Sequence, residues 1–288
     1  MDIESKKFLG QPKNFVSIFN ALLFDGQSVL KPEYLKDENS ELVMNVSSKH
    51  VDIIKRYEDG TYLDLFVIES QSYVDQCMVA RVMEYESVAR MRYIRQNFKK
   101  HVPMHTRLPM ILTVVLYVGE SKWNAAKRLS ELEIIHPGFE DMFNEFKLNL
   151  IELNTNHKYN TGEKATQDFF DLLRMIYRKQ ILKEDLDREF NRDALYFAYV
   201  VTKNKELLNI YQESEKGDVK VCRALDEMFE ESTNKGIQMG IKQGIEQGSE
   251  KKELEMYQKM MDKGFEIKTI ASIFSVSEES IKTLLMRT

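Results

Sequence analysis

Apolar residues alternate between helical and strand-like spacing in the first half of the chain and keep helical spacing through most of the second. In KNFVSIFNALLF, residues 13–24, Phe15, Ile18, Phe19 and Leu22 share one helical face, and Asp25-Gly26 ends the pattern. ELVMNV at 41–46 and VDIIKRY at 51–57 read as strands. The tight-turn dipeptide Asp59-Gly60 then joins VDIIKRY to TYLDLFVIESQ, 61–71, as a hairpin. After Asp75 a helical pattern runs to about residue 98, followed by a buried strand in RLPMILTVVLYVG, 107–119, and a shorter one in LNLIEL, 148–153. The predicted order is α-β-β-β-α-β, an α/β fold, with helices behind it over roughly 164–182, 187–203 and 218–231.

All five prolines lie at 12, 32, 103, 109 and 137, which separates a mixed first half from a Lys/Glu/Leu/Met-rich helical second half. The expected division is a core over 1–155, a helical region over 156–231 and a distinct segment over 232–288. In that last segment Gly236, Gly240, Gly244 and Gly248 recur every fourth residue with Ile237, Ile241 and Ile245 beside them. Each glycine costs a helix about 1 kcal/mol, so the stretch is either a linker or a helix that a partner must stabilise. Burial of three isoleucines, roughly 1.5–3 kcal/mol each, would offset that cost, so a homo-oligomer through 232–288 is expected. Residues 264–285 then have a two-helix pattern, with Ile270-Ala271 in the first helix, Ser277 as N-cap, and Ile281 and Leu284 in the second.

Hydrophobic residues make up 43% of the 288, with sixteen Phe, thirteen Tyr and fifteen Met, which is enough for a packed core and excludes disorder throughout. The longest apolar run, 110–118, is far short of the ~20 residues that span a bilayer. The first ten residues lack an apolar signal core, so the expectation is an unprocessed cytoplasmic protein with no membrane partner. Cys77 and Cys222 form neither a disulfide framework nor a Cys-x-x-Cys site, and Pro103 between His101 and His105 argues against zinc on one helical face. Net charge is -5, so any nucleic-acid site must be a local basic patch.

The hairpin carries the candidate chemistry. A two-residue Asp59-Gly60 loop pairs Glu58 with Thr61 and makes opposed positions sum to 119. Asp52 then opposes Val67, and Asp52, Glu69 and Gln71 project to one side, with Glu69 the diagonal neighbour of Asp52. Two such carboxylates can surround one divalent cation. Asp64 has the opposite parity, faces Lys55 across the hairpin, and is expected to pair with it outside the site.

An acid at the start of one strand and Glu-x-Gln on its neighbour, in this order of elements, resembles the PD-(D/E)XK nuclease superfamily. Within it, the chain is similar to the Rpn-type recombination-promoting nucleases, a group often labelled transposases. VIESQS at 67–72, MVARVMEYES at 78–87 with Arg81 and Tyr85, LPMILTVVLYVGESKW at 108–123 and the glycine repeat before a two-helix tail carry the likeness, which covers most of the chain. The resemblance implies a restriction-endonuclease-like core and a metal-dependent DNA endonuclease. Asp52 and Glu69 would bind Mg²⁺ or another divalent cation, and Gln71 would stand where the superfamily has lysine. Glutamine carries no charge, and Arg81 is the candidate cation to compensate.

Residues 87–119 contain no Asp or Glu but include Arg90, Arg92, Arg95, Lys99, Lys100 and Arg107. On a helix, Arg81, Arg92, Arg95 and Lys99 lie within about 60–80° of one another, a face suited to DNA phosphates without base readout. Trp123 is expected in the core. The same fold with a degenerate site, holding DNA or assembling subunits without cutting, is the alternative.

Overall fold

The computed structural model describes residues 3–38, 53–60, 63–98, 100–214 and 217–286. The strand expected at 41–46 lies outside them, as do Asp52 and Lys99. Two compact units emerge from the packing, 1–225 and 226–288.

In the first unit, α1 (Ile3–Leu9) and α2 (Pro12–Phe24) precede β1 (Leu35–Asp37), β2 (Ile53–Glu58) and β3 (Leu63–Gln71). Then come α3 (Met78–Asn97), β4 (Ile111–Tyr117), β5 (Asn149–Glu152), α4 (Lys164–Arg178), β6 (Glu189–Phe190), α5 (Arg192–Thr202), α6 (Lys205–Glu213) and β7 (Val219–Lys220). One mixed sheet has the order β1-β2-β3-β4-β5, antiparallel across β1-β2-β3 and parallel across β3-β4-β5. The β6-β7 ribbon, α1 and α6 had no counterpart in the expected elements.

Proline in its first turn starts α2, and Asp25 and Gly26, both at positive φ, end it where the sequence places the stop. Even-numbered β3 residues face α2: the Phe66 ring lies 4.8 Å from Phe19. Behind that layer Phe8, Phe169 and Phe197 pack α1, α4 and α5 together, with ring centroids 4.4 to 5.7 Å apart. Residues 156–225 therefore share one unit with the sheet. Odd-numbered β3 residues face α3: Leu65 and Val67 cluster with Ile54, Tyr85, Ala89 and Ile111. Trp123 is buried in the neighbouring cluster, edge-on to Tyr117 at 5.1 Å, as its sequence context predicts.

The hairpin differs from the expected register by two residues. Glu58 opposes Leu63, so opposed positions sum to 121 and the connection spans 59–62. A two-residue Asp-Gly turn needs positive φ at both residues. Gly60 adopts φ 90° but Asp59 does not. A shift of two preserves every residue's face. It changes partners, however, and the expected Lys55–Asp64 ion pair is not formed. Lys55 opposes Phe66 and bonds Asp37 Oδ1 at 2.6 Å, while Asp64 opposes Tyr57 and accepts the Met110 N–H at 3.1 Å.

The second unit holds most of α7 (Cys222–Asp262), then α8 (Ile267–Phe274) and α9 (Glu278–Leu285). The glycine repeat is uninterrupted helix, with open space where each of its four Cβ atoms would be and with Ile237, Ile241 and Ile245 more than half exposed. Ser277 caps α9 through the Ser280 N–H at 3.1 Å, and Ile270, Ala271 and Ile281 are buried against Tyr257, as the two-helix pattern predicts. No described helix is long and apolar enough to cross a membrane.

Candidate active site

Strand β3 ends in Glu69-Ser70-Gln71, next to the end of β4, where Glu69 opposes Val115 and Gln71 opposes Tyr117. Alternation places Glu69 and Gln71 on the α3 side, and both are buried. Gln71 Nε2 donates to Glu69 Oε1 at 2.9 Å. The backbone beyond Gln71 runs tightly against the exit of β4: Val118 N–H donates to the Gln71 carbonyl at 2.8 Å, and a Cβ on Gly119 would come 2.6 Å from the Ser72 carbonyl oxygen. Only glycine fits there. Asn154 Nδ2 reaches the carbonyls of Gly119, Glu120 and Ser121, and the Tyr177 hydroxyl donates to that of Val118, which ties the β4 exit to the β5 exit and to α4.

Helix α3 begins seven residues after Gln71 and brings Arg81 and Tyr85 back over Glu69. Arg81 Nη2 donates to Glu69 Oε1 at 3.3 Å and to the Tyr85 hydroxyl at 2.7 Å; Nε reaches the same hydroxyl at 3.1 Å. Nη1 is held by Asp75 Oδ2 and lies 3.7 Å from Met78 Sδ. Burial alone would lower the Arg81 pKa, but hydrogen bonds to Asp75 and Tyr85 and the charge of Glu69 outweigh it, so the guanidinium is held charged. Burial raises the Tyr85 pKa, with Glu69 adding in the same direction, so Tyr85 stays a neutral phenol.

Residues 6–207 match the family model described as "Putative transposase, YhgA-like". The chain belongs to that family. It is the Rpn/YhgA group that the sequence resembles. No curated protein and no solved structure matches the chain.

In this YhgA-like chain the sequence-predicted residues separate into two groups. Glu69, Gln71 and Arg81 meet at one carboxylate oxygen. Arg92 and Arg95 lie on the last two turns of α3, at 1.5 Å per residue about 16 and 21 Å along the helix from Arg81. Arg92 is half-buried, Arg95 exposed, and among the described residues neither makes an ion pair. Arg81 is spent on protein acceptors, unlike them. Asp52 and Lys99 lie outside the described residues.

Glu69 and Gln71 offer carboxylate and amide oxygens, the hard donors that Mg²⁺ takes, and Mg²⁺ needs only one or two carboxylates besides water. Among the described residues no three His, Cys, Asp or Glu side chains cluster as a metal cage. A divalent cation here would have Glu69 and Gln71 oxygens as its donors among the described residues. Sequence reasoning missed Asp75 altogether and took Tyr85 as a motif letter. The available signal was the helical i, i+4 spacing of Arg81 and Tyr85, which stacks them on one face.

Proposed function

We propose that this chain is a Mg²⁺-dependent DNA endonuclease of PD-(D/E)XK type, linked to recombination or mobile elements. The observation that carries the reading is the meeting of Glu69, Gln71 and Arg81 at the C-terminal end of β3, in a chain of the YhgA-like transposase family. A mixed sheet with three antiparallel strands, a helix and a further parallel strand supports it.

In this reading Glu69 would hold the metal together with Asp52, which lies outside the described residues. The bound ion supplies charge neutralisation at the phosphate and a more acidic water. Gln71 orients the Glu69 carboxylate by its amide N–H, and Arg81 supplies the fixed positive charge that the missing lysine would give. DNA runs from the end of β3 along α3, where Arg92 and Arg95 neutralise phosphates, and Lys99, outside the described residues, is assigned the same role. The roughly 21 Å from Arg81 to Arg95 corresponds to about six base-pair steps of 3.4 Å. The exposed Gly/Ile face of α7 is assigned to self-association, which would present two centres to a duplex. Plasmid nicking in Mg²⁺ by wild type and Asp52→Ala tests the assignment. Nicking by the wild type and none by the variant is the expected outcome, and equal rates would contradict it.

A further inference from the structure

We propose that Asp75 is a positioning residue for the Glu69 centre, dividing the Arg81 guanidinium with Glu69 and so setting how strongly Glu69 attracts a divalent cation. This rests on the nuclease reading above. All five N–H donors of Arg81 are directed at protein atoms: two at the Tyr85 oxygen, one at Glu69, one at Asp75 and one at Met78 sulfur. None remains for a phosphate without breaking a bond, so Arg81 acts on Glu69 rather than on DNA. Of its two carboxylate partners, Asp75 is the closer.

Asp75 is itself held at both oxygens. Oδ2 takes Arg81, and Oδ1 accepts the Cys77 N–H at 2.9 Å, directly before α3, where helix geometry leaves backbone N–H groups unpaired and favours negative charge. The Tyr85 hydroxyl holds the opposite edge of the guanidinium, and the Asp75 and Arg81 side chains are each only 16% exposed. Arg81 therefore has one fixed position, between two acids. With Asp75 ionised, the three side chains carry a net charge of about -1, which attracts a cation. With asparagine at 75, Arg81 offsets more of the Glu69 charge and the attraction weakens. With Arg81 neutral and both acids intact, the attraction rises.

These signs are opposite for two substitutions at touching residues, which a merely structural role would not produce. The test is Mn²⁺ titration of the full chain, with free ion read by electron paramagnetic resonance. Asp75→Asn should weaken Mn²⁺ binding by at least about tenfold, the lower limit for one charge several ångströms from a divalent ion, reached when water screens the pair fully. Arg81→Gln should tighten it, and the double variant should return to within about threefold of wild type. Weakening by both single variants, or an unchanged affinity in Asp75→Asn, would overturn the proposal. Should Asp75→Asn fail to fold alone, the double variant is compared with Arg81→Gln: weaker Mn²⁺ binding in the double variant supports the assignment, and equal binding refutes it. Glu69→Gln separates this from the nuclease reading, because unchanged Mn²⁺ binding there removes the centre itself, whatever Asp75 does.

Discussion

Glu86 offers the sharpest test of how α3 is locked to the sheet. It is 5% exposed, on the sheet-facing side of α3, and its Oε1 accepts the Thr113 N–H at 3.1 Å while Oε2 takes Arg90 at 2.9 Å. Pairing of β4 with β5 begins only at Val114 opposite Asn149. One residue earlier, the Thr113 N–H has no strand to bond, and Glu86 serves instead, with Asn149 Nδ2 donating to the Thr113 carbonyl at 3.1 Å. Glu86→Ala leaves that buried N–H without an acceptor, at about 1–3 kcal/mol, and opens a small void. The expected loss is about 2–3 kcal/mol, or roughly 5–10 °C in Tm for a unit of this size. Glu86→Gln keeps a carbonyl for Thr113 and loses mainly the charge contact with Arg90, whose side chain is 40% exposed and can resolvate, so its expected loss is under about 1 kcal/mol. Thermal and urea denaturation of the three proteins give the comparison. A glutamine variant as unstable as the alanine one, or an alanine variant melting within about 2 °C of wild type, would refute the capping argument.

Arg92→Glu with Arg95→Glu should weaken DNA binding for all sequences and flatten the slope of log affinity against log salt, since fewer counterions are released; an unchanged slope removes α3 from the interface. Burial, reinforced by Glu120, raises the Tyr177 pKa above its usual value near 10, and burial likewise raises that of Tyr159. A group with a raised folded pKa stabilises the fold below the unfolded pKa and loses that contribution as pH climbs toward the folded value. Stability should therefore hold up to about pH 9 and fall above about pH 10, less steeply in Tyr177→Phe; a fall beginning near neutrality would contradict this. Light scattering should show full-length protein as an oligomer and a chain ending at Glu231 as a smaller species, and two monomers at micromolar concentration would reduce the Gly/Ile face of α7 to a solvated surface.

Periodicity made the sheet-facing elements legible. Phe15, Ile18 and Phe19 are buried on α2 where the sequence places a helix, and the buried run 111–117 is a strand because five of its residues there have no polar group to hydrate. Face was likewise legible for Glu69 and Gln71, since alternation survives a two-residue error in register. Partner was not: Lys55 meets Asp37 rather than Asp64 because turn geometry at Asp59-Gly60, invisible in the residue types, fixes the register. Asp75 was out of reach for another reason. It lies in the connection after β3, and only the path of the chain brings it to Arg81. The glycine repeat misleads in the opposite direction, because low propensity describes an isolated helix, and α7 continues through it from Cys222.

Nicking of supercoiled plasmid in Mg²⁺ by wild type, Glu69→Gln and Asp64→Ala, at matched folded fraction, separates the two acids of β3 by function. Glu69 faces α3 beside Gln71 and Arg81, whereas Asp64 has the opposite parity on β3 and holds the Met110 N–H. Wild type and Asp64→Ala should nick and chelation should stop both, while Glu69→Gln loses at least about a hundredfold, the scale of one preorganised transition-state contact. Nicking by Glu69→Gln at the wild-type rate, or equal loss in both variants, would contradict it.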